Sequence, residues 1–145
     1  VLSYKFDTSL GTTMIGALWE RLSYNNSDTT PVATTLEHYN RDAYYFPLMH
    51  KIGAGTIRAS YGYARSGSCD RAATACSTNG LDARQYVFGG SYSFSKRTDV
   101  YALWSQTNNG QFAAYELGNA NTAYNTGVPV GAKQTGIGLG IRHVF

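Results

Sequence analysis

Residues 136–145 read GIGLGIRHVF, and they alternate to the last position. Counting back from Phe145 by twos gives His143, Ile141, Leu139 and Ile137. The positions between are Val144, Arg142, Gly140, Gly138 and Gly136. A side-chain period of two belongs to a β-strand. One face is broad and apolar; the other is mostly glycine, with one arginine. The ends of soluble domains are commonly frayed and polar. Here the apolar pattern runs to a terminal phenylalanine, so the reading turns on which medium each face meets.

The same period recurs upstream. VLSYKFD (1–7) sets Leu2, Tyr4 and Phe6 against Ser3, Lys5 and Asp7. TIRASYGYAR (56–65) sets Ile57, Ala59, Tyr61 and Tyr63 against Thr56, Arg58, Ser60 and Gly62. RQYVFGGSYSFS (84–95) puts Tyr86, Phe88, Gly90, Tyr92 and Phe94 on one side. DVYALWSQ (99–106) follows the turn SKRT (95–98). TMIGALWERLSY (13–24) is a strand whose two parities are both mixed, so its faces stay open. In YNRDAYYFPLMH (39–50) the favoured apolar face is Tyr44, Phe46 and Leu48. Pro47 there lacks an N–H and predicts a lost ladder bond or a bulge.

These segments make about seven strands. Their connections alternate between short turns and long polar loops, the long ones at 25–37, 66–83 and 107–133. The strands approach the 9–11 residues that a tilted strand needs to cross a bilayer. Short turns on one side, long loops on the other and alternating faces predict an all-β, transmembrane antiparallel β-barrel. Tyrosines near strand ends suit the interfacial girdles of such a barrel. A soluble β-sandwich also alternates, but needs neither strands of this length nor such loop asymmetry.

Composition agrees. Charged residues are only 14% of the chain, against roughly 25% in ordinary soluble proteins. No stretch supplies the ~18 apolar residues of a spanning helix, and the nearest, MIGALWERL (14–22), carries adjacent Glu20 and Arg21. No leader-like segment opens the sequence, so the leader of an exported chain is expected upstream or already removed. The net charge of +3 comes from scattered basic residues, with no run longer than Lys96–Arg97. A nucleic-acid partner calls for a clustered basic stripe, and none is expected.

GLGIRHVF (138–145) resembles the terminal strand of Gram-negative outer-membrane porins. YSFSKRTDVYALWS (92–105) resembles the penultimate hairpin of the general trimeric porins, and GALWERLSY (16–24) and GAGTIRASYGYA (53–64) resemble their wall strands. The terminus departs mildly, with His143 where many outer-membrane proteins place an aromatic ring.

The resemblance implies a trimeric barrel of about 16 strands. Residues 1–145 would be the C-terminal portion of a single barrel domain, starting within the tenth strand. An upstream half of the same protein would close it and would carry the constriction loop. The resemblance further implies an integral outer-membrane protein acting as a passive diffusion channel for small hydrophilic solutes and ions. Phe145, with His143 and Ile141, would be the signal read by the barrel-assembly machinery. The alternative is a small outer-membrane barrel with an enzymatic or adhesive role.

Arginines facing the lumen favour anions. Arg58 and Arg142 share faces with small or polar residues and are expected to line the pore. Arg84, at the loop end of its strand, and Arg21, if Trp19 does not face lipid, are the other candidates. Together they predict weak anion selectivity. The bland alternative for each is a neighbouring carboxylate or snorkelling to headgroups.

Cys69 and Cys76 sit in one long loop and, in an exported protein, read as a disulfide. A metal site would need further ligands. His38, His50 and His143 are dispersed, so no metal site, catalytic centre or cofactor is expected. Barrel hydrolases pair a serine with an outward histidine; His143 faces outward but has no matching serine motif. Gly89–Gly90 precedes no helix and is not a phosphate loop.

Overall fold

The strand period is realised almost throughout. The computed structural model describes residues 1–26, 35–116 and 128–145, and within them the regular elements are all strands. They are β1 (Leu2–Thr8), β2 (Gly11–Asn25), β3 (Leu36–Ile52), β4 (Gly55–Ala64), β5 (Ser68–Arg71), β6 (Ala83–Ser93), β7 (Thr98–Asn109) and β8 (Lys133–His143). Parts of two predicted long loops, 27–34 and 117–127, lie outside the described residues.

All the strands join one antiparallel sheet in the order β1-β2-β3-β4-β6-β7-β8, with β5 paired to β3. Among the described residues the sheet is open: β1 and β8 are its two edges and do not pair. About seven strands are expected from the sequence, and the described residues form eight. The addition, β5, is a four-residue strand inside the loop after β4, too short to show as an alternation.

Along the main path the connections alternate, a tight turn at one end of the sheet and then a long connection at the other. Gly11 and Gly53 have positive φ in two of the tight turns. At Gly11 (φ +148) a Cβ would lie 1.9 Å from the Lys51 carbonyl oxygen, so a side chain is barred there. The long connections leave from the ends of β2, β4 and β7. The strands of the main path other than β1 are 10–17 residues long.

Pro47 shows the cost foreseen for it. The β2–β3 register runs Ile15↔Leu48 and resumes at Leu18↔Tyr45, with no pairing at Gly16 and Ala17. The alignment is the same on both sides, so there is a missing rung rather than a bulge. Gly16 gives the ring room: a Cβ on it would lie 3.0 Å from Pro47 Cγ.

No second layer covers the sheet, and there is no ordinary core. Among the described residues only Ala83, Ala113 and Thr107 are buried, and no large side chain is fully so. Phe88, Ile137, Leu139 and Ile141 are between 57% and 77% exposed. An uncovered apolar surface of this extent has to meet lipid or protein.

Candidate functional site: two faces of one sheet

Register fixes which side chains share a face. On one, Trp104 of β7 lies beside Ile137 of β8 and Phe88 of β6. Phe88 is opposite Ala59, which is opposite Leu48, which is opposite Ile15. This is the aromatic face. Phe46, Tyr61 and Tyr86 form a registered row across β3, β4 and β6, with ring centroids 6.4 Å and 5.3 Å apart. Such offset rings add to the cross-strand contacts that hold a sheet.

The aromatic face is polar at both ends. At the turn end, Thr13 Oγ1 is 2.7 Å from His50 Nδ1, and Thr98 Oγ1 is 2.8 Å from His143 Nδ1. At the loop end, His38 Nδ1 is 2.8 Å from Asn25 Oδ1, and Ser23 Oγ donates to Asn40 Oδ1 at 2.7 Å. An apolar band between two polar rims is what a strand wall in a bilayer requires. His50 and His38 lie at opposite ends of the β2–β3 pairing and His143 lies in the β7–β8 pairing, each beside a hydroxyl or an amide.

The opposite, polar face carries Lys5, Arg41, Lys51, Arg58 and Arg142 in its paired registers, against Asp7, Glu20 and Asp99. Near the turn end, Lys51, Arg58, Asp99 and Arg142 border a groove of about 580 Å³, lined also by Ser91 and Ser93 among others. Arg142 forms an ion pair with Asp99, which also accepts from Ser93 Oγ at 2.6 Å. Arg58 Nη1 donates to Ser91 Oγ at 3.0 Å. Among the described residues Arg58 has no carboxylate within ion-pair distance. Its charge therefore stays available in the groove, while much of Arg142's is matched by Asp99.

The four arginines picked from sequence do not converge. Arg58 and Arg142 share the polar face. Arg21 and Arg84 lie on the aromatic face, which corrects the expectation that they line the same lumen. Arg21 has the parity of Trp19, whose indole N–H donates to Asp42 Oδ1 at 3.1 Å, and Asp42 is the register partner of Arg21. Arg84 is in line with Tyr86 and Phe88, and its guanidinium carbon is 5.7 Å from the Tyr63 ring centroid. Both sit near the loop end, where a long cationic side chain beside aromatic rings can reach the headgroup zone. Alternation weakens as a guide there, because both faces are polar beyond the apolar band.

Sequence reasoning passed over Arg41, which also faces the polar side. Its flanking residues Asn40 and Asp42 gave no alternation to single it out.

Cys69 and Cys76 are joined, with Cα atoms 5.8 Å apart. Cys69 belongs to β5 and is opposite Tyr39 of β3, so the bridge ties the loop back to the strand that β5 extends. Protein unfolded without reductant should take up no maleimide, and after reduction should take up two equivalents, one for each cysteine. Labelling before reduction would contradict the bridge.

Phe145 follows the end of β8. Val144 N–H donates to the Arg97 carbonyl at 2.9 Å, holding the terminus to the β6–β7 turn. The Phe145 ring packs edge-on to His143, with centroids 4.9 Å apart, and is fully exposed. The partner His143 places the ring toward the aromatic face.

Comparison with curated proteins and with solved structures gives no match. A family model described as Gram-negative porin matches residues 2–111, which takes in β1 through β7. With three quarters of its length matched and its sheet built as a lipid-facing wall, the chain belongs to the Gram-negative porins.

Proposed function

We propose that this chain is the C-terminal portion of an outer-membrane diffusion channel that passes small hydrophilic solutes and ions, with a weak preference for anions. The aromatic face meets lipid and the polar face meets water. The open edges of β1 and β8 are completed by upstream strands of the same protein, because an unpaired edge in lipid leaves backbone groups without partners. By the resemblance, three such barrels assemble in the outer membrane after insertion by the barrel-assembly machinery.

One observation carries the reading: an exposed apolar band on one face of a single sheet is backed on the other by Arg58, which has no carboxylate within ion-pair distance among the described residues. A channel of this kind works without chemistry. A fixed water-filled cross-section sets the size limit, and wall charges set the local ion concentration. Basic side chains outnumber acidic ones on the polar face, which favours anions at entry.

The test is the intact protein in a planar bilayer under a salt gradient. Stepwise conductance is expected, with a reversal potential on the anion side. Arg58→Glu should move that potential toward cations, because it replaces an unpaired positive charge by a negative one. Absence of steps would remove the channel reading; an unmoved potential would remove the role of Arg58.

A further inference from the structure

Beyond Asn109 the chain turns onto the polar face. Gly110 N–H donates to the Asp82 carbonyl at 2.7 Å, and Phe112 N–H donates to the Gly80 carbonyl at 2.9 Å. Gly131 N–H donates back to the Ala113 carbonyl at 2.9 Å. Tyr115 is then held from several directions. Its N–H donates to Asn109 Oδ1 at 2.9 Å. Its carbonyl accepts from Asn109 Nδ2 at 3.0 Å and from Gln134 Nε2 at 2.7 Å. Its hydroxyl accepts from Arg41 Nη1, and the Arg41 guanidinium carbon lies 5.2 Å from its ring centroid.

The anchors come from one side of the sheet. Asn109 is opposite Ala83, Gln134 opposite Thr107 and Arg41 opposite Leu22, all on the polar face. They come from distant strands: Asn109 ends β7, Gln134 is in β8 and Arg41 is in β3. In the sheet order β3 and β8 are separated by β4, β6 and β7. Four interstrand steps of ~4.8 Å make an arc of about 19 Å. Residues 110–116 therefore cross the polar face as a strap at its loop end.

The burial pattern fits a fixed strap. Ala83, Thr107 and Ala113, the buried residues among those described, are where this segment meets β6 and β7. Arg41 is the far fastening. Its Nε is buried with no hydrogen-bond partner among the described residues, while Tyr39's own hydroxyl donates to the Ser66 carbonyl at 3.4 Å. Among the described residues no carboxylate lies within ion-pair distance of it. Arg41 is instead seated by stacking on the Tyr115 ring and by that residue's hydroxyl, a job its planar shape performs and an ammonium does not.

We propose that residues 110–116 form a fixed constriction at the loop-side mouth of the channel, and that Arg41 is the positioning residue that clamps it through Tyr115. The proposal rests on the channel reading. It gives this half of the barrel a size filter of its own, separate from any loop contributed by the upstream half. The solutes it discriminates are those near the size limit, charged or neutral.

The test uses the intact protein in planar bilayers, with neutral polyethylene glycols of graded size to gauge the mouth. Arg41→Lys keeps the charge and loses the planar stack; Tyr115→Ala removes the strap's anchor without touching a strand. In both, conductance should rise roughly 1.2- to 1.5-fold, since the narrowest lining sets passage. The largest polymer admitted should also increase, and the reversal potential of Arg41→Lys should stay at the parent value. Parent-like conductance and polymer limit in both variants would overturn the clamp. If Arg41→Lys yields no inserted channels, Tyr115→Ala alone decides by the same readout. A silent parent defeats the channel reading instead.

Discussion

Arginine at Leu139 will destabilise the assembled protein by about 2–4 kcal/mol, the cost of a cation on the lipid face of a barrel near the membrane midplane. Leu139 lies near the middle of β8, is 77% exposed and sits opposite Ala102 on the aromatic face. If that face meets hydrocarbon, the guanidinium has no water at this depth and the rims are several residues away. Gly138→Arg, one position back, is the control. A Cβ there would be 3.8 Å from Leu103 Cβ, an ordinary contact, and the side chain would enter the polar face. It should stay within about 1 kcal/mol of the parent, as substitutions in open polar surroundings do. Urea titration of tryptophan fluorescence in lipid vesicles measures both. Equal losses, or a reversed order, would undo the assignment of the two faces.

Phe145→Ala should separate assembly from stability. The ring's described neighbour is His143, and it is otherwise fully exposed. One edge-to-face pair contributes only about 0.5–1.5 kcal/mol, so the purified intact protein should melt close to the parent temperature. Insertion is another matter if, as the resemblance implies, the terminal aromatic is what the assembly machinery reads. A ring buried in a receptor pocket is worth roughly 1.5–3 kcal/mol, which is on the order of tenfold or more in occupancy. The fraction inserted in cells should fall by about that factor. A few polar residues added after Phe145 should act the same way, by moving the ring from the chain end. Parent-like insertion of the Ala variant would sink the hypothesis.

The strands could be read from sequence where one face meets lipid along their whole length. In the middle of β4, β6 and β8, Ile57 and Tyr61, Tyr86 and Phe88, and Ile137, Leu139 and Ile141 mark one parity, and those faces agree with the register. β2 was ambiguous for a physical reason: its 15 residues overrun the apolar band, and beyond the band both faces are solvated. Arg21 and Arg84 were misjudged in that same zone. β5 and Arg41 were hidden for a different reason. The first is defined by pairing with β3, and the second by a hydrogen bond to Tyr115, 74 residues away. Local periodicity carries no trace of either.

The glycines of β8 leave one matter undecided that the Asp99–Arg142 pair decides. Tyr101 lies over Gly140, close enough that a Cβ there would fall 2.3 Å from its ring. Gly138 and Gly136 would accept the same ring equally well. If β8 slipped by two residues so that Tyr101 met Gly138, every face would be preserved. Ala102 would meet Ile137 in place of Leu139, and Val100 would meet Leu139 in place of Ile141. Packing is thus degenerate between the two alignments. What distinguishes them is charge and hydrogen bonding at the turn end: the slipped strand would set Asp99 against Gly140 and part Thr98 from His143. The ion pair therefore serves as a register mark on a strand whose repeat cannot count itself.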